Sequence, residues 1–407
     1  MTVLVGIPCL LTGGTEIQTL SLVQALVEAG HRVVVACYFE HAPAMVARYQ
    51  DAGAEVRLLS PAGERSAGVA ATVRHLWCGL RGVVREVRPD VAHVQYMAPG
   101  MIPILVLRAL GVKRIVATVH TAADIYSPNG LRLIRLLNRR VLTAFQCITE
   151  RAERSFFGTS QLFSAKMPLK RHGNHFTIYN NLPSYMEVRG EPRELEDCGR
   201  LTIGVVSRLE HIKGMDLVVP AFAAVRRDWP GLRLMVVGDG SLRGEMERQV
   251  KELGLGEAVE FLGRQPQDTL PGRYGRIDVL LMPSRSEGFG LTAVEGMARG
   301  CVVVAAATGG LPEVVRDGVD GVLCTPGSAA SLAEKTLGLI ASPQELSRLS
   351  RAAIARAATF SRSRYNTCIS NLYQRLAGKS HAEKQRSRGL SDMDMDIDTD
   401  IDTDNTL

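Results

Sequence analysis

The chain has 407 residues, enough for two domains of ordinary size. Hydrophobic residues make up 46% and charged residues 22%, a globular composition, and no run of 18 apolar residues occurs, which excludes a membrane-spanning helix. The net charge of +6 is uneven: residues 1–190 carry 21 Lys and Arg against 12 Asp and Glu, residues 191–380 carry 24 against 22, and residues 381–407 carry 3 against 8. A basic first half suits an anionic acceptor or membrane surface; no nucleic-acid partner is expected.

The first half alternates apolar strand runs with helical segments. Val3 to Ile7 reads as a buried strand rather than a leader peptide, because it lacks a basic flank and a cleavage site. Gly13-Gly14-Thr15-Glu16 reads as a turn, and Ile17 to Ala29 as a helix stopped by Gly30. Strands follow at Val33–Cys37, Val56–Leu59, Val91–Val94, Ile115–Val119, Ala144–Thr149 and Thr177–Tyr179. The pattern restarts after a polar segment, 183–200. Strands are expected at Leu201–Val206, Leu232–Val237, Val259–Leu262, Ile277–Met282, Val302–Ala306 and Gly321–Leu323, with a helix over Gly214–Arg227. Such alternation means two doubly wound sheets. The expected boundaries are 1–183 for the first domain and 198–359 for the second. A further helical segment follows at about 360–378. The tail, 380–407, repeats Asp at every second position and should be disordered.

Eight scattered cysteines show no metal-site spacing and no Cys-x-x-Cys, so buried free thiols in a reducing, cytoplasmic setting are expected. The stretch Leu131 to Leu142 is basic and amphipathic. It reads as a core-packed helix with a solvated Arg face, or alternatively as peripheral contact with the anionic inner face of a membrane.

The most informative segment runs from Ser286 to Gly300. A buried strand ends at Pro283, a loop Glu287-Gly288-Phe289-Gly290 follows, and a helix from Leu291 carries Glu295 in its first turns. Open α/β sheets bind ligands at such strand ends, and a helix start offers unpaired N–H groups to phosphate. Two carboxylates beside a phosphate site suit a nucleotide sugar.

These residues, with others, resemble a family 4 retaining glycosyltransferase of the GT-B fold, over roughly 1–378. Gly204 to Gly214 is similar to the family's Arg/Lys motif, and Val236–Gly240 to a common strand end. Glu287 and Glu295 stand as its Glu-x7-Glu pair, and Gly309–Val315 with Asp317–Gly321 follow as in the family. Gly13–Glu16, Thr118–His120 and Asn180-Asn181 are weaker marks, the last with Asn for Gly, which tolerates a left-handed backbone. The resemblance implies an α/β fold of GT-B type: two Rossmann-like domains facing across a central cleft, the first (1–183) binding the acceptor and the second (198–359) the nucleotide sugar, with the helix at about 360–378 packing back on the first.

The resemblance implies transfer of a sugar from a nucleotide diphosphate donor to a hydroxyl acceptor, a glycan or lipid-linked intermediate of cell-surface polysaccharide or glycolipid synthesis. Negative charge then develops on the leaving diphosphate. No Asp-x-Asp precedes the tail, so fixed cations are expected in place of a metal: Arg208 and Lys213, five positions apart. Phe289, Gly290 and Leu291 would present N–H groups to phosphate, Glu295 would hold the ribose and Glu287 the sugar hydroxyls. His120 would touch the sugar near the reacting carbon, and Gly14 would let the first-domain loop approach the diphosphate. Glu16 reads more readily as a helix cap. No cofactor is expected. A catalytically silent GT-B binding subunit and a GT-B epimerase are the rival readings; a dehydrogenase is rejected because Gly-x-Gly-x-x-Gly is absent after the first strand.

Overall fold

The computed structural model describes residues 1–65, 67–95, 101–167, 169, 173–188, 192 and 200–378. The acidic tail and most of the polar segment before Arg200 lie outside the described residues. In chain order the first sheet comprises β1 (Thr2–Ile7), β2 (Arg32–Cys37), β3 (Glu55–Leu58), β4 (Val91–Gln95), β5 (Ile115–Val119), β6 (Ala144–Cys147) and β7 (His175–Thr177). The second comprises β8 (Thr202–Val206), β9 (Arg233–Val237), β10 (Val259–Gly263), β11 (Val279–Met282), β12 (Val302–Ala306) and β13 (Val322–Cys324). All pairings between these strands are parallel, in the orders β3-β2-β1-β4-β5-β6-β7 and β10-β9-β8-β11-β12-β13. Both orders reverse direction once, between β1 and β4 and between β8 and β11. Those switch points open crevices at the carboxyl ends of the strands.

The helices are α1 (Gly14–Glu28), α2 (Pro43–Asp51), α3 (Val69–Val87), α4 (Met101–Ala109), α5 (Pro128–Arg140), α6 (Glu150–Phe157), α7 (Val218–Asp228), α8 (Arg243–Glu252), α9 (Leu270–Tyr274), α10 (Leu291–Ala298), α11 (Leu311–Val314), α12 (Ala329–Ile340), α13 (Pro343–Ala358) and α14 (Arg362–Ala377). Each sheet is covered on both faces by a separate apolar core, which is why its strands read as continuous apolar runs.

The last helix, α14, crosses to the first sheet. Its Tyr365, Ile369, Leu372, Tyr373 and Leu376 join the core that α1 builds there. The chain therefore passes between the sheets twice. The two crossings touch: Leu182 N donates to Phe360 O at 2.9 Å. Gln18 of α1 clasps the first crossing, donating to Asn181 O at 2.7 Å and accepting from Asn181 N at 3.2 Å.

Several sequence expectations are corrected. Gly13–Glu16 is not a free turn: extended Gly13 caps a helix that already begins at Gly14. The helix expected over Gly214–Arg227 starts only at Val218; before it come two short 3-10 turns, because Gly214 sits in the left-handed region at φ 69°. The strand expected at Thr177–Tyr179 is His175–Thr177, since pairing with β6 ends at Thr177. Cys78 is exposed, unlike the buried Cys37, Cys147, Cys301 and Cys324. No helix among the described residues is long and apolar enough to cross a membrane.

Candidate functional site

The carboxyl ends of both sheets face one cleft, and two cavities there share their walls. One, of about 580 Å³, is lined from the first sheet by Gly13, Gly14, Glu16 and His120, and from the second by Arg208, Lys213, Glu287, Phe289, Gly290 and Leu291. The other, of about 400 Å³, shares Gly14, Arg208 and Leu291 and adds Glu295, Tyr185, Tyr274, Asp239 and Arg264. Every candidate residue named from the sequence therefore lines one or both cavities.

Sequence explains how the loop after β11 is built. Gly290 stands at φ 102° as the N-cap of α10, a conformation that carries little penalty for glycine alone. The first N–H groups of α10 lack intrahelical acceptors by geometry and open into the cleft at Leu291 and Thr292. Gly288 is where the domains meet backbone to backbone: a Cβ there would lie 2.2 Å from His120 O. Gly310 N ties the next loop to this one, donating to Glu287 O at 3.1 Å.

The two glutamates do different things. Glu287 Oε2 accepts from Lys213 Nζ at 2.7 Å and from Ser284 Oγ at 3.3 Å, in a partly buried position. Glu295 is buried, 5% exposed. Its Oε1 accepts from Tyr185 Oη at 2.7 Å and its Oε2 from Tyr274 Oη at 2.6 Å. Burial pushes its carboxyl above the usual range, and the two tyrosine hydroxyls pull it back part of the way. Arg208 is exposed on the cleft wall.

On the first-sheet side, His120 Nε2 donates to Gln95 Oε1 at 2.9 Å. Below it His93 is fully buried, bonded through Nε2 to Thr118 Oγ1 at 2.6 Å and through Nδ1 to Tyr373 Oη at 2.8 Å. Burial lowers both imidazoles to about 3, so both are neutral at ordinary pH. Neutral His120 with its proton on Nε2 is a hydrogen-bonding group rather than a cation. Glu16 folds back on its own turn: a Cβ on Gly13 would meet its Oε2 at 2.4 Å, and its Oε1 accepts from Cys9 Sγ at 3.2 Å. Burial raises the Glu16 carboxyl.

Sequence reasoning missed Gln95, Tyr185 and Tyr274, and it placed Glu313 in a family motif without a role. Glu313 of α11 reaches across the cleft, and its carboxylate accepts from Glu150 N at 2.8 Å and Arg151 N at 2.6 Å at the start of α6. The first three carry no local pattern, and all four acquire their roles from partners distant in sequence. Among the described residues no group of three or more His, Cys, Asp or Glu side chains could hold a metal ion.

Residues 191–356 match the family described as Glycosyl transferases group 1, and residues 13–151 the Glycosyl transferase 4-like domain, together most of the chain. Among curated relatives, D-inositol 3-phosphate glycosyltransferase of Mycobacterium tuberculosis is 38% identical over 201 residues, covering 47% of this chain and 41% of that protein. That of Segniliparus rotundus is 37% identical over 169 residues, covering 40% and 38%. The chain thus matches about two fifths of the length of these relatives. Among solved structures, Anabaena Alr3699/HepE in complex with UDP is similar with a TM-score of 0.74 at 21% identity, covering 92% of this chain and 100% of that one. Sucrose-phosphate synthase from Thermosynechococcus elongatus gives 0.72 at 20%, covering 93% and 99%. These likenesses carry the fold, and the sequence matches carry the family. With two parallel-sheet Rossmann-like domains around one cleft, the chain belongs to the group 1 glycosyltransferases, of family 4 type and GT-B fold.

Proposed function

We propose that the protein transfers a sugar from a nucleotide diphosphate donor to a hydroxyl acceptor, with retention of configuration and without a metal. The observation that carries the reading is the convergence in one cleft of Arg208, the Lys213–Glu287 pair and the N-terminus of α10. Two cations and a helix start are the groups a leaving diphosphate needs. Lys213 reaches the diphosphate while its partner Glu287 orients the sugar hydroxyls. Glu295 takes the ribose in the neighbouring cavity. His120 contacts the sugar near the reacting carbon, and Gly14 brings α1 close without a side chain. No side chain on the sugar's far face is assigned as nucleophile; the leaving phosphate assists deprotonation of the acceptor on the same face.

The test is transfer with UDP-, GDP-, ADP- and TDP-sugars. Glu287→Ala and Arg208→Ala should each lower kcat/KM at least a hundredfold, about 2.7 kcal/mol. Unchanged rates in both variants would overturn the assignment. The product anomer, read by NMR, checks retention.

The acceptor is proposed to be a glycan or a lipid-linked polyol, reached from an anionic membrane surface. The relatives are named for an inositol phosphate acceptor. On α5, Leu133 and Leu136 stay exposed beside Arg132, Arg139 and Arg140, a pattern that suits an anionic interface. The protein should co-sediment with anionic vesicles at low salt and be released as salt rises. Absence of binding at low salt removes the membrane from the reading.

A further inference from the structure

The two tyrosines on Glu295 are not equivalent. Tyr274 ends α9, is fully buried, and belongs to the second domain's core. Tyr185 lies on the segment that crosses between the domains. Its ring is only partly buried and packs against the cores of both. It also lines two cavities at once. One is the 400 Å³ cavity that contains Glu295. The other, of about 570 Å³, is bounded by Met45 and Arg48 of α2 and by Arg264 and Asp268 of the second domain. Tyr185 is thus a partition with space on either side, while Tyr274 is fixed.

A buried carboxylate needs hydrogen-bond donors on both oxygens, or the fold bears the cost of leaving one unpaired. A ribose cis-diol donates to both oxygens of a carboxylate. At Oε1 it meets the Tyr185 hydroxyl already in place, 2.7 Å away. We propose that Tyr185 is a stand-in for the donor's ribose: its hydroxyl satisfies Glu295 Oε1 until nucleotide binds, then yields that oxygen and turns toward the second cavity. This rests on the reading of Glu295 as the ribose-binding residue. One O–H···O bond breaks and another of the same kind forms, so the buried carboxylate is never left without a donor. Tyr185 is therefore a positioning residue that couples nucleotide binding to the segment joining the domains. It also sets affinity, since the ribose bond gained at Oε1 is offset by the tyrosine bond lost there.

The experiment is calorimetric titration of wild type and Tyr185→Phe with UDP, GDP and ADP, and with the 2′,3′-dideoxy form of whichever binds tightest. Phenylalanine keeps the ring and its packing, and a cooperative melt confirms folding. Tyr185→Phe should bind the ribonucleotide about three- to tenfold tighter, the worth of one hydrogen bond no longer displaced. It should gain much less for the dideoxy form, and the melting increment on adding nucleotide should exceed that of wild type. Preference for ribose in wild type, with equal or weaker ribonucleotide binding by Tyr185→Phe, overturns the stand-in role alone. Equal binding of ribo and dideoxy forms by wild type, or no binding of any of the three nucleotides, overturns the ribose reading of Glu295 and the stand-in with it.

Discussion

His93 and His120 lie one strand apart beneath the cleft, and both are held neutral by burial. Their folded values, about 3, sit below the unfolded value near 6.5. Between those limits the unfolded chain binds protons that the folded one refuses, so stability falls as pH falls from about 6.5 toward 3. Each histidine contributes a slope of up to about 1.4 kcal/mol per pH unit in that window. Urea denaturation at pH 7, 6 and 5 should show the decline, and His93→Gln should flatten it; an unchanged slope would mean that His93 is not the group titrating. At this scale the sequence was partly legible. Glu287 and Glu295 could be read as a site because loop, strand end and helix start lie within one short stretch. That Glu295 is held by Tyr185 could not be read, because the pair is 110 positions apart and only the folded crossing segment brings them together. Nor does spacing show that Lys213 bonds Glu287 across 74 positions.

Helix α6 is capped from both domains. Thr149 Oγ1 accepts from Ala152 N at 3.2 Å, and Glu313 of α11 takes the N–H groups of Glu150 and Arg151. A carboxylate at a helix N-terminus is favoured by the orphan N–H groups and by the helix dipole. Glu313 thereby holds the loop after β12, and through Gly310 the Glu287 loop, against the first domain. Glu313→Ala should cost about 1 kcal/mol of stability and let the domains part. A lowered melting midpoint together with a larger radius of gyration in X-ray scattering checks it. A lower midpoint with unchanged dimensions would reduce Glu313 to a cap. Strand positions were readable at element scale because both faces of each sheet are buried and the runs are apolar throughout. Helix starts were less so. Gly214 resembled the opening of a helix, yet its left-handed backbone first makes two tight turns, which place Lys213 on the cleft wall.

For the molecule as a whole, α14 makes the first domain depend on the far end of the chain. Its five buried apolar side chains complete the core over α1, each worth roughly 1.5–3 kcal/mol. Together that rivals the whole stability of an ordinary domain. Ending the chain at Ser361 should therefore leave residues 1–183 unable to fold, giving insoluble or dye-binding protein. A soluble product with an unchanged cooperative melt would show the helix to be dispensable. The restart of the strand pattern near Leu201 announced two sheets, but the return of α14 rested on family resemblance, since nothing in a lone amphipathic helix names the surface that it covers. The bond between Leu182 and Phe360 has a mechanical consequence. With both crossings tied at one point, parting of the domains is a rotation about that tie rather than a sliding. Displacement then grows in proportion to distance from it, so the remotest contacts across the cleft release first and the nearest last.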